Sequence, residues 1–591
     1  MTLRQANPST NARDAGAKVG GWLAASVVVL LLLLYLAYLP RRAPHAGLYT
    51  GDEGIRVMQV EGMKRHGFGL FHNPSPRIDP DVEFFYDPAL RRARGGPVWM
   101  IPPFFALISL PGYAQFGLFG LHLLPAAGAV LSVLALWRAA IAAAGRWYAG
   151  IIAAALFGLA SPAIFYGADF SEHAVATGLA MAGMCCCLVG RDRWWGAAAC
   201  GLLCAAATSL RTECVVVVPA AAVVVCFTVP WRRAIGSIIA LGAGALVLLV
   251  PLAVLNAAWF GTPWGLHASG NVWRSGILGP ASVLGPLRTV LVPREAYQIA
   301  PIAAAVVLKL LGMAPGASQR WRVGCHWAYA GALVCLAAAV VVPPVADKAL
   351  FVVAPWALCM LGPVGVTGGS ATGGSQGADR GGASRAFAGL ATASALYIVV
   401  VLLAAPGTGG ALWGPRFLLP GIALLALTTG TAIALTLEPA RHGVGGGRGV
   451  AGAMTVAFVA LLLAGGQNAA RSLGSLCTIK QQNELLLSHF AEHTEKGDVI
   501  ISDTWWLAQV SAVLVYQRHF FIIPGGPDAE ARIGKLLNRL RRLGITRIHY
   551  VTARDGPSPL RSRIAAEGTL VRSRRLVPYE QRMETYVLRA Q

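Results

Sequence analysis

Long apolar runs alternate with short basic connections along the first 470 residues or so. A run of about 20 apolar residues can cross the hydrocarbon core of a bilayer as a helix. The first run, residues 21–39, ends in Pro40-Arg41-Arg42 instead of a small-residue cleavage site, so we predict a retained helix rather than a signal peptide. Further candidate spans are centred near residues 130, 157, 181, 203, 222, 246, 307, 334, 358, 395, 427 and 458. The pattern predicts an α-helical polytopic membrane protein with about 13 transmembrane helices.

The distribution of Lys and Arg predicts the orientation of these helices. Connections on the cytoplasmic side are enriched in basic residues. With residues 1–20 as a cytoplasmic tail, each predicted inner connection carries an arginine pair: Arg138 and Arg146, Arg191 and Arg193, Arg232 and Arg233, Arg320 and Arg322, Arg380 and Arg385, and Arg441 and Arg448. An odd number of spans then leaves the C-terminus outside.

Three connections between apolar runs differ from the rest. Residues 41–120 form a long outer loop, whose apolar second half is interrupted by Pro102, Pro103 and Pro111 and suits helices lying in the membrane interface. Residues 259–300 form a second outer segment rich in Gly, Pro and Trp. Residues 365–384 have the composition of a flexible inner linker.

The pattern changes after residue 467. The segments "DVIISD", "HFFIIP", "ITRIHYV" and "METYVLRA" predict short strands, and residues 528–543 predict an amphipathic helix. We therefore assign residues 21–467 to the transmembrane module and 468–591 to a small extracytoplasmic α/β domain.

Composition excludes several classes of protein. The chain is 55% hydrophobic and 13% charged, with a mean hydropathy of +0.58, far from the roughly 25% charged residues of soluble domains. The net charge of +22 is dispersed between apolar runs, so we expect no nucleic-acid partner. Most of the 11 cysteines lie in or beside apolar runs without metal-binding spacing, so we predict neither a disulfide nor zinc.

The strongest local signal for chemistry follows the first helix, in "GLYTGDEGIRVMQVEGMKRHGFG". Thr50 can cap a helix with Glu53 at its third position, and Asp52 and Arg56 would then share a face. The simpler interpretation is an ordinary helix start with acids at the positive end of the dipole.

Together with three later segments, this acidic pair resembles the GT-C-fold membrane glycosyltransferases. The closest likeness is to the branch of protein O-mannosyltransferases and lipid A aminoarabinose transferases. The later segments are "FYGADFSEHAVATGLAMAGM", "TSLRTECVVVVPAAAVVV" and "GALWGPRFLLPGIALLAL". Their order and spacing over roughly residues 20–470 carry the resemblance. It implies inverting transfer of a sugar from a polyprenyl-phosphate donor to an acceptor hydroxyl at the outer membrane face.

The resemblance also implies roles for individual residues. Asp52 would be the catalytic base, and Glu53 would orient the acceptor or assist. The phosphate-binding cations would be Arg416, Arg211 and Arg56. The substrate cleft would include Asp169, Glu172, His173 and Glu213. No metal and no cofactor is predicted as required, although some relatives use a divalent cation.

The residues themselves leave structural alternatives open. Arg416 suits a membrane-interface anchor, and Arg211 with Glu213 suits a structural ion pair. Asp169, Glu172 and His173 suit solvated positions at a helix end.

Other functions also remain open from sequence. A transporter or lipid-linked glycan flippase would place ionisable groups near the bilayer midplane, whereas here charged residues gather at predicted outer helix ends. A polysaccharide polymerase or ligase is a further alternative. We expect a bacterial inner-membrane protein whose acceptor is a glycan, a lipid or a protein.

Overall fold

The computed structural model describes residues 47–266 except 86 and 94, and then 288–293, 295–314, 318–341, 349–361, 376–404, 415–441, 447–552, 558–576, 579 and 581–589. Within residues 19–34 it describes isolated positions, all of them helical. Most of the predicted tail and of the predicted linker, and the centre of the second outer segment, lie outside the described residues.

The described chain is mainly helical. Its α-helices are α1 (Gly51–His66), α2 (Phe104–Phe116), α3 (Leu118–Ala144), α4 (Trp147–Leu159), α5 (Ala163–Ala168), α6 (His173–Val189), α7 (Trp194–Leu210), α8 (Val217–Thr228), α9 (Trp231–Phe260), α10 (Ala296–Gly312), α11 (Gln319–Val341), α12 (Leu350–Val353), α13 (Gln376–Ala404), α14 (Leu419–Arg441), α15 (Gly447–His493), α16 (Leu507–Val510), α17 (Ala512–Val515), α18 (Ala529–Arg542) and α19 (Pro559–Glu567). Its strands are β1 (Leu90–Ala93), β2 (Gly96–Trp99), β3 (Val499–Ser502), β4 (His519–Ile522), β5 (Arg547–Thr552), β6 (Gly568–Leu576) and β7 (Gln581–Leu588).

Six of the described helices are long and apolar enough to cross a membrane, so this is an integral membrane protein. They lie within α3, α9, α11, α13, α14 and α15, and shorter apolar helices accompany them. Helix α9 leaves Leu246, Val247 and Val254 exposed, as expected of a lipid-facing surface. The span predicted near residue 358 is not one long helix in the described chain. There, α12 is followed by a 3₁₀ turn, Pro355–Leu361, and proline supplies no N–H for a continuous helix.

Small residues set the closest helix contacts. Gly128 of α3 faces Gly178 and Val175 of α6, and Gly201 of α7 faces the backbone of α9 at Leu241. A side chain at any of these glycines would overlap backbone atoms of the neighbouring helix. Close approach through small residues is a common way to pack helices in lipid, where apolar side chains gain little from leaving the solvent.

The first loop, which the sequence predicts to lie outside, contains α1, the antiparallel hairpin β1–β2 and α2. Helix α2 includes Pro111 and lies where the proline-interrupted apolar stretch predicted an interfacial helix. Between α1 and the hairpin, the buried carboxylate of Asp79 accepts hydrogen bonds from the backbone N–H groups of Glu83, Phe84 and Phe85. Because a carboxylate with several backbone donors fixes a turn, Asp79 shapes this part of the loop.

The C-terminal residues form a mixed five-stranded sheet in the order β4-β3-β5-β7-β6. Strands β4, β3 and β5 are parallel, and β7 is antiparallel to both β5 and β6. Helix α18 buries Ile533, Leu536, Leu537 and Leu540 at the spacing of an amphipathic helix. The predicted α/β pattern thus corresponds to real elements, with β6 as the strand that the sequence did not predict. The predicted boundary at residue 467 falls inside α15, which continues to His493.

The first loop packs directly on the sheet. Phe85 forms an isolated parallel β-bridge with Ile522, the last residue of β4. Arg532 donates to the carbonyl oxygen of Glu83 at 2.7 Å. On α1, Gly54 faces the backbone of Gln509 in α16 so closely that a Cβ would overlap its carbonyl oxygen. The start of α1 is therefore held from the C-terminal side.

We predict that Gly54→Ala lowers the apparent melting temperature of the detergent-solubilised protein, because α1 must move away from α16. Gly452→Ala is the matched control, since that helical glycine has nothing within 4 Å of an added Cβ. Melting is followed by tryptophan fluorescence. Equal melting temperatures for the two variants would contradict this packing.

Candidate functional site

Several helix ends meet beside the C-terminal domain. Asp52 and Glu53 lie in the first turn of α1, Glu172 at the N-cap of α6, Arg211 at the C-cap of α7 and Arg416 in the 3₁₀ turn before α14. The acids at the N-termini of α1 and α6 and the cation at the C-terminus of α7 match the helix dipoles. Arg416 instead precedes the N-terminus of α14, where the dipole opposes a cation, so its position depends on its pairing with Asp52.

The most accessible ion pair of this group joins Asp52 and Arg416. An oxygen of Asp52 lies 2.5 Å from Arg416 Nη1, and the Asp52 side chain is 37% exposed. Burial raises the pKa of Asp52, but Arg416 and Arg56 outweigh it and hold the pKa below its usual range. Asp52 is thus an ionised carboxylate that is open to solvent and held by a guanidinium.

Glu53, the next residue, has a different environment. Its side chain is fully buried, accepting from Lys480 Nζ at 2.7 Å and from the backbone N–H groups of Phe170 and Tyr49. Burial would raise the pKa of Glu53, but Lys480 and hydrogen bonding lower it to about 2. Thr50 accepts from the Glu53 N–H at 3.4 Å, as the predicted cap requires, while Glu53 reaches back to Tyr49 rather than to Thr50.

Behind Asp52 lies a buried chain of alternating charges. Glu172 contacts Arg56 at 2.5 Å and Arg211 at 2.9 Å, and Arg211 also contacts Glu213 at 2.9 Å. Arg56 therefore pairs with Glu172 rather than with Asp52 one turn away. Because an unpaired buried charge is costly, these four residues fix one another's positions.

Two arginines of the group lie near one aromatic ring. The guanidinium carbons of Arg211 and Arg416 lie 5.2 Å and 5.1 Å from the centroid of Phe417. Arg211 Nη2 and Arg416 Nε are buried and have no hydrogen-bond acceptor among the described residues. Buried donors normally have acceptors, so these two are available to an anion.

Asp169 and His173 complete the cluster. Both are buried, and neither Asp169 Oδ1 nor His173 Nε2 has a hydrogen-bond partner in the described chain. Burial raises the pKa of Asp169, and the neighbouring carboxylate of Glu53 raises it further. The ring of His173 lies 5.0 Å from that of Tyr166.

An apolar crevice reaches the same region from the side of the helical bundle. It lies between α2, α7 and α9 with a cavity volume of about 20 Å³, and its lining includes Phe104, Leu252, Phe260 and Trp264. Its polar end contains Thr208, Ser209 and Thr212, which flank Arg211 in the sequence.

The overall architecture matches a solved membrane transferase. The chain is similar to ArnT from Cupriavidus metallidurans bound to undecaprenyl phosphate, with a TM-score of 0.51 and 13% identity over 96% of this chain and 98% of that one. The chain has the GT-C fold. The apo structure of the same ArnT aligns with a TM-score of 0.48 and 14% identity over 95% of this chain and 98% of that one. No protein-family model and no curated protein matches the sequence.

The residues predicted for the site lie close together in this fold. The structure brings all of the residues predicted from sequence into one connected cluster, although their individual roles stay predictions. Sequence reasoning missed Lys480, Phe417 and Gln509. Lys480 lies in α15 as a lone basic residue, and its distance from Glu53 along the chain gave no signal of the pairing.

Replacement of Lys480 tests its ion pair with Glu53. Lys480→Met leaves Glu53 as an uncompensated buried charge, so we expect the free energy of unfolding to fall by about 3–5 kcal/mol. Because the pKa of Glu53 is lowered to about 2, the pair stabilises the fold above the unfolded value near 4.3 and loses its effect as pH falls toward 2. The double variant Glu53→Gln/Lys480→Met should recover much of the loss in thermal unfolding. A single variant as stable as the parent would refute the pair.

Asp87 links the first loop to the C-terminal domain. Its carboxylate accepts from the Ala89 N–H at 2.7 Å and from Gln509 Nε2 at 2.9 Å. Burial, assisted by the charge of Asp52, raises its pKa to about 6 despite these hydrogen bonds. The side chain of Gln509 also packs on Gly51, so Asp87 and α1 share one contact.

The raised pKa of Asp87 predicts a pH effect on stability. The folded chain holds this proton more tightly than the unfolded chain does. Stability should therefore fall as pH rises from about 4 to about 6, and the full penalty should persist at neutral pH. Asp87→Asn should remove this step and raise the melting temperature at pH 7.5, whereas the exposed control Asp81→Asn should retain it. Identical pH profiles for Asp87→Asn and the parent would disprove the assignment.

Proposed function

We propose that the chain transfers a sugar from a polyprenyl-phosphate donor to an acceptor hydroxyl at the outer face of the membrane, with inversion at the anomeric carbon. The main support is that Arg211 and Arg416, both near Phe417, each keep a buried N–H donor without an acceptor in the described chain, beside the partly exposed carboxylate of Asp52. Lipid-phosphate sugars present an anionic leaving group next to an electrophilic carbon. The arginines suit the anionic phosphate, and the carboxylate suits the activation of a hydroxyl that attacks the carbon. The solved ArnT with undecaprenyl phosphate has the same fold and adds support for the lipid carrier.

In this proposal Arg416 and Arg211 bind the donor phosphate. Their planar forks donate paired hydrogen bonds to phosphate oxygens, and they meet the charge that grows on the leaving group. Arg56, Glu172 and Glu213 position Arg211 and add to the field of the site without leaving their buried pairs.

Asp52 acts as the base that takes the proton of the acceptor hydroxyl as its oxygen attacks the anomeric carbon. A carboxylate held by Arg416 is a weak base, because the cation lowers its pKa. A donor phosphate competes for the same guanidinium, so donor binding weakens this hold and strengthens the base. Glu53 contributes by fixing the first turn of α1, and Asp169 and His173 line the cluster behind it.

The remaining parts of the proposal concern topology and acceptor. About 13 spans with a cytoplasmic N-terminus, and a C-terminal domain of residues 468–591 on the extracytoplasmic side, put Asp52 at the outer water–lipid boundary. The basic inner connections support this orientation. The acceptor is a glycan, a lipid or a protein of the bacterial envelope, and no metal ion is required for transfer.

Asp52→Asn tests the base. We expect transfer to fall by about 10²–10⁴-fold, the usual contribution of a general base, with normal protein levels. The measurement is glycan profiling of the envelope in a deletion strain complemented with each variant. Asp81→Asn, an exposed carboxylate in the same loop, should behave as the parent.

A binding measurement with undecaprenyl phosphate and the purified protein distinguishes loss of donor binding from loss of the transfer step. Asp52→Asn should retain binding, whereas Arg416→Ala should weaken it, as measured by native mass spectrometry. Full transfer by Asp52→Asn would eliminate this base, and unchanged lipid binding by Arg416→Ala would eliminate the phosphate site.

A further inference from the structure

The last turns of α15 carry three side chains that can ligate a metal ion. His489, Glu492 and His493 form a His-x-x-Glu-His sequence, and positions i, i+3 and i+4 of a helix share a face. One ligand atom from each residue lies within 4.8 Å of the other two. Glu492 Oε2 is 4.0 Å from His493 Nε2, and the two imidazole centroids are 6.1 Å apart.

We propose that this turn is a zinc-binding site separate from the transfer site. Two imidazoles and one carboxylate form a ligand set that zinc accepts, with water in the fourth position. Ligand atoms about 2.0–2.2 Å from a tetrahedral ion lie about 3.3 Å from one another. Rotation of the side chains can shorten the distances between the three ligand atoms to that value, because Glu492 is exposed and both histidines are partly exposed.

The backbone supports a cation at this position. His493 is the final residue of α15, so the ion lies at the negative end of a long helix dipole. The three ligands lie within about one turn, so the helix itself sets their spacing. Zinc binding here requires no movement of the helix relative to the sheet.

One neighbouring charge opposes the ion and limits its affinity. Arg574 of β6 lies against the ring of His493, with 3.2 Å between Arg574 Nη1 and His493 Nδ1, and it donates to whichever ring nitrogen carries no proton. A guanidinium cannot ligate a metal, and its positive charge repels one. Zinc and Arg574 therefore compete for His493, and an ion at this turn releases a contact between α15 and β6.

The site is distant from the proposed chemistry. His489 follows Lys480, the partner of Glu53, by nine residues on the same helix, which is about 13 Å of helix length. Zinc at this turn touches none of Asp52, Glu53 or Arg416. Its binding is therefore independent of the proposed transfer reaction.

The test is calorimetric titration of the full-length, EDTA-treated protein in detergent with zinc chloride. We expect one zinc ion per chain, and at least about tenfold weaker binding in His489→Ala, His493→Ala and Glu492→Gln, because even outer-shell partners of zinc sites contribute 10–100-fold. Arg574→Gln should bind zinc more tightly. Melting temperatures without zinc verify the fold of each variant. Because Glu492 is exposed, Glu492→Gln should bind less zinc without a change in folding.

His66→Ala is the matched control, since His66 also has a histidine neighbour, with its ring 5.2 Å from that of His72. Parent-like zinc binding in this variant supports the proposed turn. Parent-like binding in the three α15 variants, or loss of zinc in His66→Ala, would overturn the proposal. Failure of this site would leave the transfer proposal unaffected, because the two share no residue.

Discussion

The site depends on the pairing of charges that are removed from water together. Glu53 and Glu172 are almost fully buried, and each meets a cation from a distant part of the chain, Lys480 for Glu53, and Arg56 and Arg211 for Glu172. A single buried charge costs several kcal/mol, whereas a well-placed pair approximately offsets that cost. These pairs therefore contribute little net stability but strongly select one arrangement of the helix ends.

This selection explains how two neighbouring carboxylates acquire different properties. Successive residues of a helix point about 100° apart, so Glu53 faces the buried amine while Asp52 faces Arg416 and solvent. The buried residue fixes the turn, and the exposed one stays available to a substrate. Exchanging their environments would require rotation of α1, which Gly54 and Gln509 prevent by close packing.

The sequence predicted the parts of this structure that arise from local patterns. Apolar runs identified the six long membrane helices of the described chain, the Thr50 cap identified the start of α1, and short apolar segments identified most strands of the C-terminal sheet. It could not predict that Lys480 meets Glu53 across 427 residues of chain, since a lone lysine has no periodicity. Nor could it separate Asp52 from Glu53, because only tertiary packing decides which acid is buried.

Helix α15 unites the membrane part and the sheet into one functional unit. It begins among the apolar helices, supplies Lys480 and Asn483 to the start of α1, and ends beside β6. A boundary at residue 467 would assign these two residues to the second domain, although their partners belong to the first. The C-terminal domain therefore forms part of the site, since its Gln509 donates to Asp87 and packs against the turn that carries Asp52. The position of the proposed base is then a property of the whole chain and not of the helical bundle alone.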